Sequence, residues 1–161
     1  MSTWSRLIIT PMISITRSIQ TLINTNLQTA FDYVSDLTKH PEWSGGELKI
    51  EAVSSEPIQV GKEYVSKGEV AIQKDRPNKL KITEFESPRK FGFAANDPDF
   101  GDVFHTFTFL EKDNNVVVTR AMRLNVNPFI AFGFTFFVYP LVGNPSMKRA
   151  FRNLKAKLED S

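Results

Sequence analysis

Ile13-Ser14-Ile15-Thr16-Arg17-Ser18-Ile19-Gln20-Thr21-Leu22-Ile23, followed by Thr25-Asn26-Leu27-Gln28-Thr29-Ala30-Phe31-Asp32-Tyr33-Val34-Ser35-Asp36-Leu37, sets the order of elements in this chain. In the first run Ile13, Ile15, Ile19 and Ile23 share one parity, the two-residue period of a strand with one buried face. In the second run Leu27, Ala30, Phe31, Val34 and Leu37 recur at three- and four-residue spacing, so the period turns helical. Thr25 and Gln28 offer a capping box at the switch. The helix is expected to end between Asp36 and His40, because Pro41 disfavours helical geometry in the residue before it.

Working outward, residues 1–12 read as a flexible N-terminal extension, and Pro11 interrupts the Leu7-Ile8-Ile9 run before a signal-peptide core forms. A cytoplasmic location is the expectation. Downstream of Gly45-Gly46 the helical period vanishes, and turn chemistry recurs at Glu56-Pro57, Val60-Gly61, Arg76-Pro77-Asn78, Ser87-Pro88, Asp97-Pro98 and Asp113-Asn114-Asn115. Between these turns strands are expected at Glu47–Ser55, Glu63–Gln73, Lys79–Glu86, Lys90–Ala95, Asp102–Glu111 and Val116–Val126. Connections this short favour antiparallel neighbours, since a parallel crossover needs a dozen or more residues. Past Asn127-Pro128, Met147, Phe151, Leu154 and Leu158 line one face of a terminal amphipathic helix, with Lys148, Arg149, Arg152, Lys155 and Lys157 on the remainder. The expectation is one α+β domain over residues 1–161: strand, helix, six-strand meander, helix.

Composition narrows the function. The chain has 161 residues, 20 Lys and Arg against 18 Asp and Glu, and a formal charge of +2, too near balance to drive nucleic-acid binding by field alone. With no Cys and two His, disulfide frameworks, thiol catalysis and Cys-containing zinc sites are excluded. His40 and His105 do not have the paired spacing of a zinc helix, and Asp97, Asp99, Gly101 and Asp102 depart from an EF-hand loop and read as a turn. No Gly-rich phosphate loop or nucleophile elbow is present, and Asn114-Asn115 reads as a hairpin turn. No cofactor and no nucleic acid is expected, and the sequence carries no signal of oligomeric state. The uncharged stretch Phe129–Val142 falls short of the ~20 residues of a membrane span and contains Gly133 and Pro140, so it is not read as one.

A seven-stranded antiparallel sheet must cover its apolar face, and the chain's helices are the only cover available. A twisted sheet closing imperfectly on a terminal helix leaves an apolar gap. The segment Ala30-Phe31-Asp32-Tyr33-Val34-Ser35-Asp36-Leu37-Thr38-Lys39-His40-Pro41-Glu42-Trp43 resembles the first helix and Asp-Leu-x-x-x-Pro-x-Trp corner of bacterial members of the SRPBCC or START-like helix-grip superfamily. Arg149–Leu158, with Asn153-Leu154-Lys155, resembles that superfamily's C-terminal helix end. The resemblance covers about Ile13 to Glu159 and points to the polyketide cyclase/dehydrase-like branch. It implies a helix-grip fold, short helices between the first two strands, and an internal cavity. It implies no reaction, since the same fold serves carriers, cyclases and receptors.

Strand parity puts Phe91 and Phe93 on one inward face, and Val103, His105, Phe107 and Phe109 on another. Together with Met122, Phe132, Phe136 and Phe151 they form the expected cavity lining. His105 is a titratable group among apolar neighbours, whose first reading is a core histidine satisfied by the backbone or a neighbouring hydroxyl and whose second is a group that accepts a proton or hydrogen-bonds a ligand. Arg120 shares parity with Val116, Val118, Met122 and Leu124, so it points inward unless the register slips by one. A buried guanidinium needs an acidic partner, for which Glu84, in step with Leu80 and Ile82, is the candidate, or a ligand anion; the other reading is an edge-exposed arginine. Tyr64, Ser66 and Glu69 are further polar candidates. The leading expectation is a binder or carrier of a small hydrophobic molecule: a lipid, isoprenoid, quinone or polyketide. The enzyme alternative is a polyketide cyclase, aromatase or dehydrase using His105, Glu84, Arg120 or Tyr64 as its acid/base group. A third reading turns the aromatics of Phe129–Tyr139 outward for a partner or a transient membrane contact.

Overall fold

A computed structural model of the chain describes residues 10–45, 47–68, 77–97 and 101–160. Seven antiparallel strands form one sheet in the order β1-β7-β6-β5-β4-β3-β2. They are β1 Ile13–Ile23, β2 Leu48–Ala52, β3 Glu63–Gly68, β4 Asn78–Glu86, β5 Lys90–Asp97, β6 Gly101–Lys112 and β7 Asn115–Val126. Strands β2 to β7 meander, and β1 closes against β7 with Ile13 opposite Val126 and Ile23 opposite Val116. This is the helix-grip arrangement, with β2 shorter than expected. The expected continuation of β3 over 69–73, with Glu69, and most of the expected extension 1–12 lie outside the described residues.

Helix α1, Leu27–Ser35, begins one residue later than the capping box suggested: Asn26 is the cap, and its side chain accepts from the Thr29 N–H at 2.8 Å. Asp36 ends α1 and caps the 3-10 turn Leu37–Lys39, accepting from the Thr38 backbone and hydroxyl at 3.1 and 2.6 Å. Pro41 then opens the short α2, Pro41–Ser44, where a missing N–H costs nothing. The last hairpin turns on Asp113 and Asn114 rather than on Asn114-Asn115, both with positive φ, which is the two-residue turn that matches strand twist.

After Asn127, which caps by accepting from the Ile130 N–H at 2.9 Å, three helical stretches run together: α3 Pro128–Gly133, a π-helical stretch Phe134–Gly143, and α4 Asn144–Glu159. Pro140 explains the widened middle. It supplies no N–H and its ring crowds the preceding turn, and the ladder answers with an i→i−5 bond from the Asn144 N–H to the Tyr139 carbonyl. The run Pro128–Glu159 is 32 residues long, and by length and composition alone it suffices to cross a membrane. That corrects the length argument made from Phe129–Val142, because the helix does not stop at Pro140.

The interior holds two apolar clusters. The larger lies under α1, α2 and α4 and centres on Phe31, Trp43, Phe91, Phe107, Phe109, Phe151 and Leu154. The smaller joins Ile15, Val103, Leu124 and Val126 of the sheet to Ala131 and Phe134 of the helical run. The two segments that carry the family resemblance meet here: Asn153 Nδ2 donates to the Trp43 carbonyl at 3.3 Å, and the Trp43 and Phe151 rings stand edge to face at 6.4 Å.

Candidate functional site

Between the two clusters, where the π-helical stretch gives way to α4, the layers part around a partly open cavity of about 260 Å³. Its apolar wall is Ala95, Val103, Met122, Leu124, Phe134, Val138, Met147 and Ala150. Its polar wall is His40, Ser44, Asn78, Asp97, His105 and Arg120. The ladder positions the central pair: His105 on β6 faces Met122 on β7, one pleat from Arg120, and Arg120 faces Phe107. The inward parity of β7 holds, and Arg120 points inside.

No carboxylate of the described residues forms an ion pair with Arg120. Its Nη2 donates instead to His105 Nδ1 at 3.1 Å, and its guanidinium lies 5.6 Å from the centre of the Phe107 ring. Burial lowers the Arg120 pKa to about 10, well above neutrality, so it stays a cation. Burial, then the Arg120 charge, then His40 hold His105 well below its ordinary value, and His105 is neutral at pH 7. Because an arginine only donates, Nδ1 of His105 accepts and the ring proton sits on Nε2. His40, its ring 4.3 Å from Trp43 and 6.0 Å from Phe93, is held at about 3 by burial and by Arg120. Both imidazoles are therefore poor proton acceptors, and the site presents a cation and hydrogen-bond donors instead.

Four polar atoms on the wall are buried without a hydrogen bond: His40 Nδ1, Ser44 Oγ, Asn78 Oδ1 and Arg120 Nε. Buried polar atoms are nearly always paired, and these four face one cavity, where water or a bound group can reach them. Among the described residues no three His, Asp or Glu side chains converge as a metal site.

Of the residues expected to line the cavity, Val103, His105 and Met122 do. Phe91, Phe93, Phe107, Phe109 and Phe151 lie in the filled cluster beside it. Phe132 and Phe136 stand on the outer surface. Tyr64 is buried in the larger cluster away from the cavity, and Ser66 is buried next to it on β3. The pairing of Glu84 with Arg120 is overturned by a β-bulge. Thr83 is an extra residue between the Ile82–Phe93 and Glu84–Gly92 pairs, so the parity flips. Phe85 turns inward against Phe31, at 5.3 Å, and Glu84 turns out to Lys90 at 2.8 Å. Asp97 stands on the cavity rim and Asp102 accepts from Asn96 at 3.0 Å, while Asp99 lies outside the described residues. The sequence reading passed over His40, Ser44 and Asn78. The available signal was a His-Pro-x-Trp-Ser corner whose Trp must be buried.

A seven-stranded sheet gripping a C-terminal helix, with a polar-ended cavity between them, defines the helix-grip class. The chain belongs to the family described as "Polyketide cyclase / dehydrase and lipid transport", whose model matches residues 12–159. Among solved structures it is similar to norcoclaurine synthase from Thalictrum flavum, at 15% identity and a TM-score of 0.66 over 99% of this chain and 96% of that one. It is similar to TTHA0849 from Thermus thermophilus, at 16% identity and a TM-score of 0.70 over 89% and 97%. It also matches the di-domain aromatase/cyclase StfQ of the steffimycin biosynthetic pathway, at 11% identity and a TM-score of 0.68, over 91% of this chain but 52% of that one. At such identities the likeness is one of fold. No curated protein matches the sequence significantly. Family and fold together support a ligand-binding or cyclase role.

Proposed function

We propose that this protein binds a small lipophilic molecule bearing a carbonyl or carboxylate oxygen at one end. The supporting observation is the asymmetry of the cavity: apolar on the helix side, with orphaned His40 Nδ1, Ser44 Oγ, Asn78 Oδ1 and Arg120 Nε on the other. A ligand oxygen gives Arg120 Nε the acceptor it lacks, and a ligand hydroxyl gives Asn78 Oδ1 a donor. Quinones, polyketides and fatty acids carry such oxygens; pure hydrocarbons do not. A volume of about 260 Å³ sits just below the ordinary range of small-molecule pockets, which suits a compact ring system or a short chain. Any chemistry of a cyclase kind falls to Arg120 and His105 as hydrogen-bond donors to a carbonyl, since neither imidazole is basic enough to take a proton readily.

The test uses two probes of nearly equal shape, 2-acetonaphthone and 2-ethylnaphthalene, followed by their own fluorescence. The ketone is expected to bind about tenfold or more tightly than the hydrocarbon, as a site built around buried polar groups rejects an analogue that leaves them unpaired. Arg120→Met is expected to erase the difference, and Met122→Trp to abolish binding of both. Equal affinities indifferent to Arg120→Met, or no binding of either probe, would overturn the reading.

A further inference from the structure

The outer side of the helical run is not used by the cavity. From Pro128 to Met147 it carries no charged residue, a stretch of about 20 residues and roughly 30 Å. Ala131 and Phe134 are buried in the smaller cluster, with Val138 packed against it. Arg17 of β1 holds the run from its side, donating to Thr135 Oγ1 at 3.3 Å and standing 5.2 Å over the Tyr139 ring. The opposite side is bare: Phe129 is 87% exposed, Leu141 74%, and Phe132, Phe136 and Phe137 between 57 and 62%. These rings gather on one another, Phe132 lying 4.8 Å from Phe136 and 6.3 Å from Phe137. A ridge of this kind is rare on the free surface of a monomer.

What covers it is indicated by the second half of the same helix. The outward residues of α4 are Lys148, Arg149, Arg152 and Lys157, with Lys155 half-buried, and the only acidic side chain between 128 and 159 is Glu159. One helix thus joins an apolar, aromatic outer face to a basic one. A second copy of the chain would bring this positive face against another, whereas an anionic lipid surface complements both halves. The packing favours a side-on seat over a span, because Ala131 and Phe134 hold the start of the run against the sheet and α4 is clamped in the core by Phe151 and Leu154. Leu141 and Val142 join ridge to cavity: Val142 is half-exposed and lines the cavity wall, with Gly143 and Ser146 beside it.

We propose that the ridge Phe129–Val142 seats in the interfacial layer of an anionic membrane, with the basic face of α4 over the lipid headgroups and the cavity mouth at the bilayer surface. The seating itself does not depend on which molecule fills the cavity, and its test contains no cavity ligand.

The protein is sedimented with vesicles of phosphatidylcholine and with equimolar phosphatidylcholine and phosphatidylglycerol. Partition onto the anionic vesicles is expected to be at least tenfold stronger and to fall steeply in 0.5 M NaCl. Phe132→Ser with Phe136→Ser is expected to weaken it at least tenfold, with the melting temperature unchanged because both side chains are exposed. Lys148→Glu with Arg152→Glu is expected to remove the preference for phosphatidylglycerol. Absence from both vesicle types, or equal partition onto both, overturns the proposal. So does a concentration-dependent dimer that the paired serine variant dissolves while the parent protein ignores vesicles.

Discussion

Lowering the pH from 7 to 5 is expected to destabilise this protein steeply, and the cause is two buried neutral imidazoles. His40 is held at about 3, and His105 is also held far below its ordinary 6.5, each chiefly by burial. Their folded-state values lie under the unfolded one, so the unfolded chain binds more protons below pH 6.5. The stabilisation is complete above about pH 6.5 and is lost as the pH falls toward about 3. For His40, with an unfolded pKa of 6.5 and a folded one of about 3, the loss between pH 7 and 5 is about 1.9 kcal/mol, and His105 adds to it in the same direction. Against a total of roughly 5–15 kcal/mol that is a large fraction. With a urea m-value of about 2 kcal/mol per molar, His40 alone should move the midpoint down by roughly 1 M. The more direct assay is the proton uptake on thermal unfolding at pH 5.5, read by calorimetry in buffers of different ionisation enthalpy. About 0.9 proton is expected from His40, lost in His40→Asn, with further uptake from His105 that the variant keeps. An uptake that His40→Asn leaves unchanged would refute the argument, since it would mean that the His40 ring is already charged in the folded state.

Three further outcomes follow from particular contacts. Trp43→Ala and Phe31→Ala, at two fully buried rings of the larger cluster, should each cost about 3–5 kcal/mol and lower the calorimetric melting temperature by roughly 6–20 °C. Gly68→Ala should be worse than Gly61→Ala in urea melts: both have positive φ, but a Cβ at 68 would stand 1.8 Å from the Glu47 carbonyl oxygen, whereas at 61 it meets nothing within 4 Å. Glu84→Gln should change stability by less than about 0.5 kcal/mol and leave naphthyl-ketone binding untouched, because its partner is Lys90 on the outer face; a large loss of binding would show that the bulge does not turn it outward.

How far the fold was legible follows from where periodicity is uninterrupted. β6 and β7 pair residue for residue from Val103–Leu124 to Lys112–Asn115, so alternation alone located the inward residues, Arg120 included. On β4 one unpaired residue, Thr83, breaks the alternation, and nothing between Leu80 and Glu86 marks it: no glycine, no proline. The accommodating residue is on the next strand. At Gly92 a Cβ would meet Glu84 Cβ and Thr83 Oγ1 at 3.2 Å, so the bulge is written into the sequence eight or nine residues from where it acts. Within the site, parity says which face of a strand is covered but not which part of that face the helices fill. The aromatics expected in the cavity sit under Phe31, Trp43 and Phe151, and the cavity opens one pleat further along, where Val103 and Met122 are.

The helical run shows the other limit. Phe132 and Phe136 were expected in the cavity lining, but a run of aromatics does not say which helix face is covered: these two share a face four residues apart, and Phe134 lies on the other. Phe134, Val138 and Val142 then line the cavity, and Phe132, Phe136 and Leu141 point away from it. His40, Ser44 and Asn78 escaped for a related reason: His40 lies at a 3-10 to α junction, Ser44 at the end of the four-residue α2 and Asn78 at a strand start, positions that no periodic pattern reaches. Turn and junction residues face the cavity because it lies where regular elements stop packing on one another. The same irregularity leaves their polar atoms without backbone partners, so the part of the molecule least readable as a pattern is the part with hydrogen-bonding capacity left to offer a ligand.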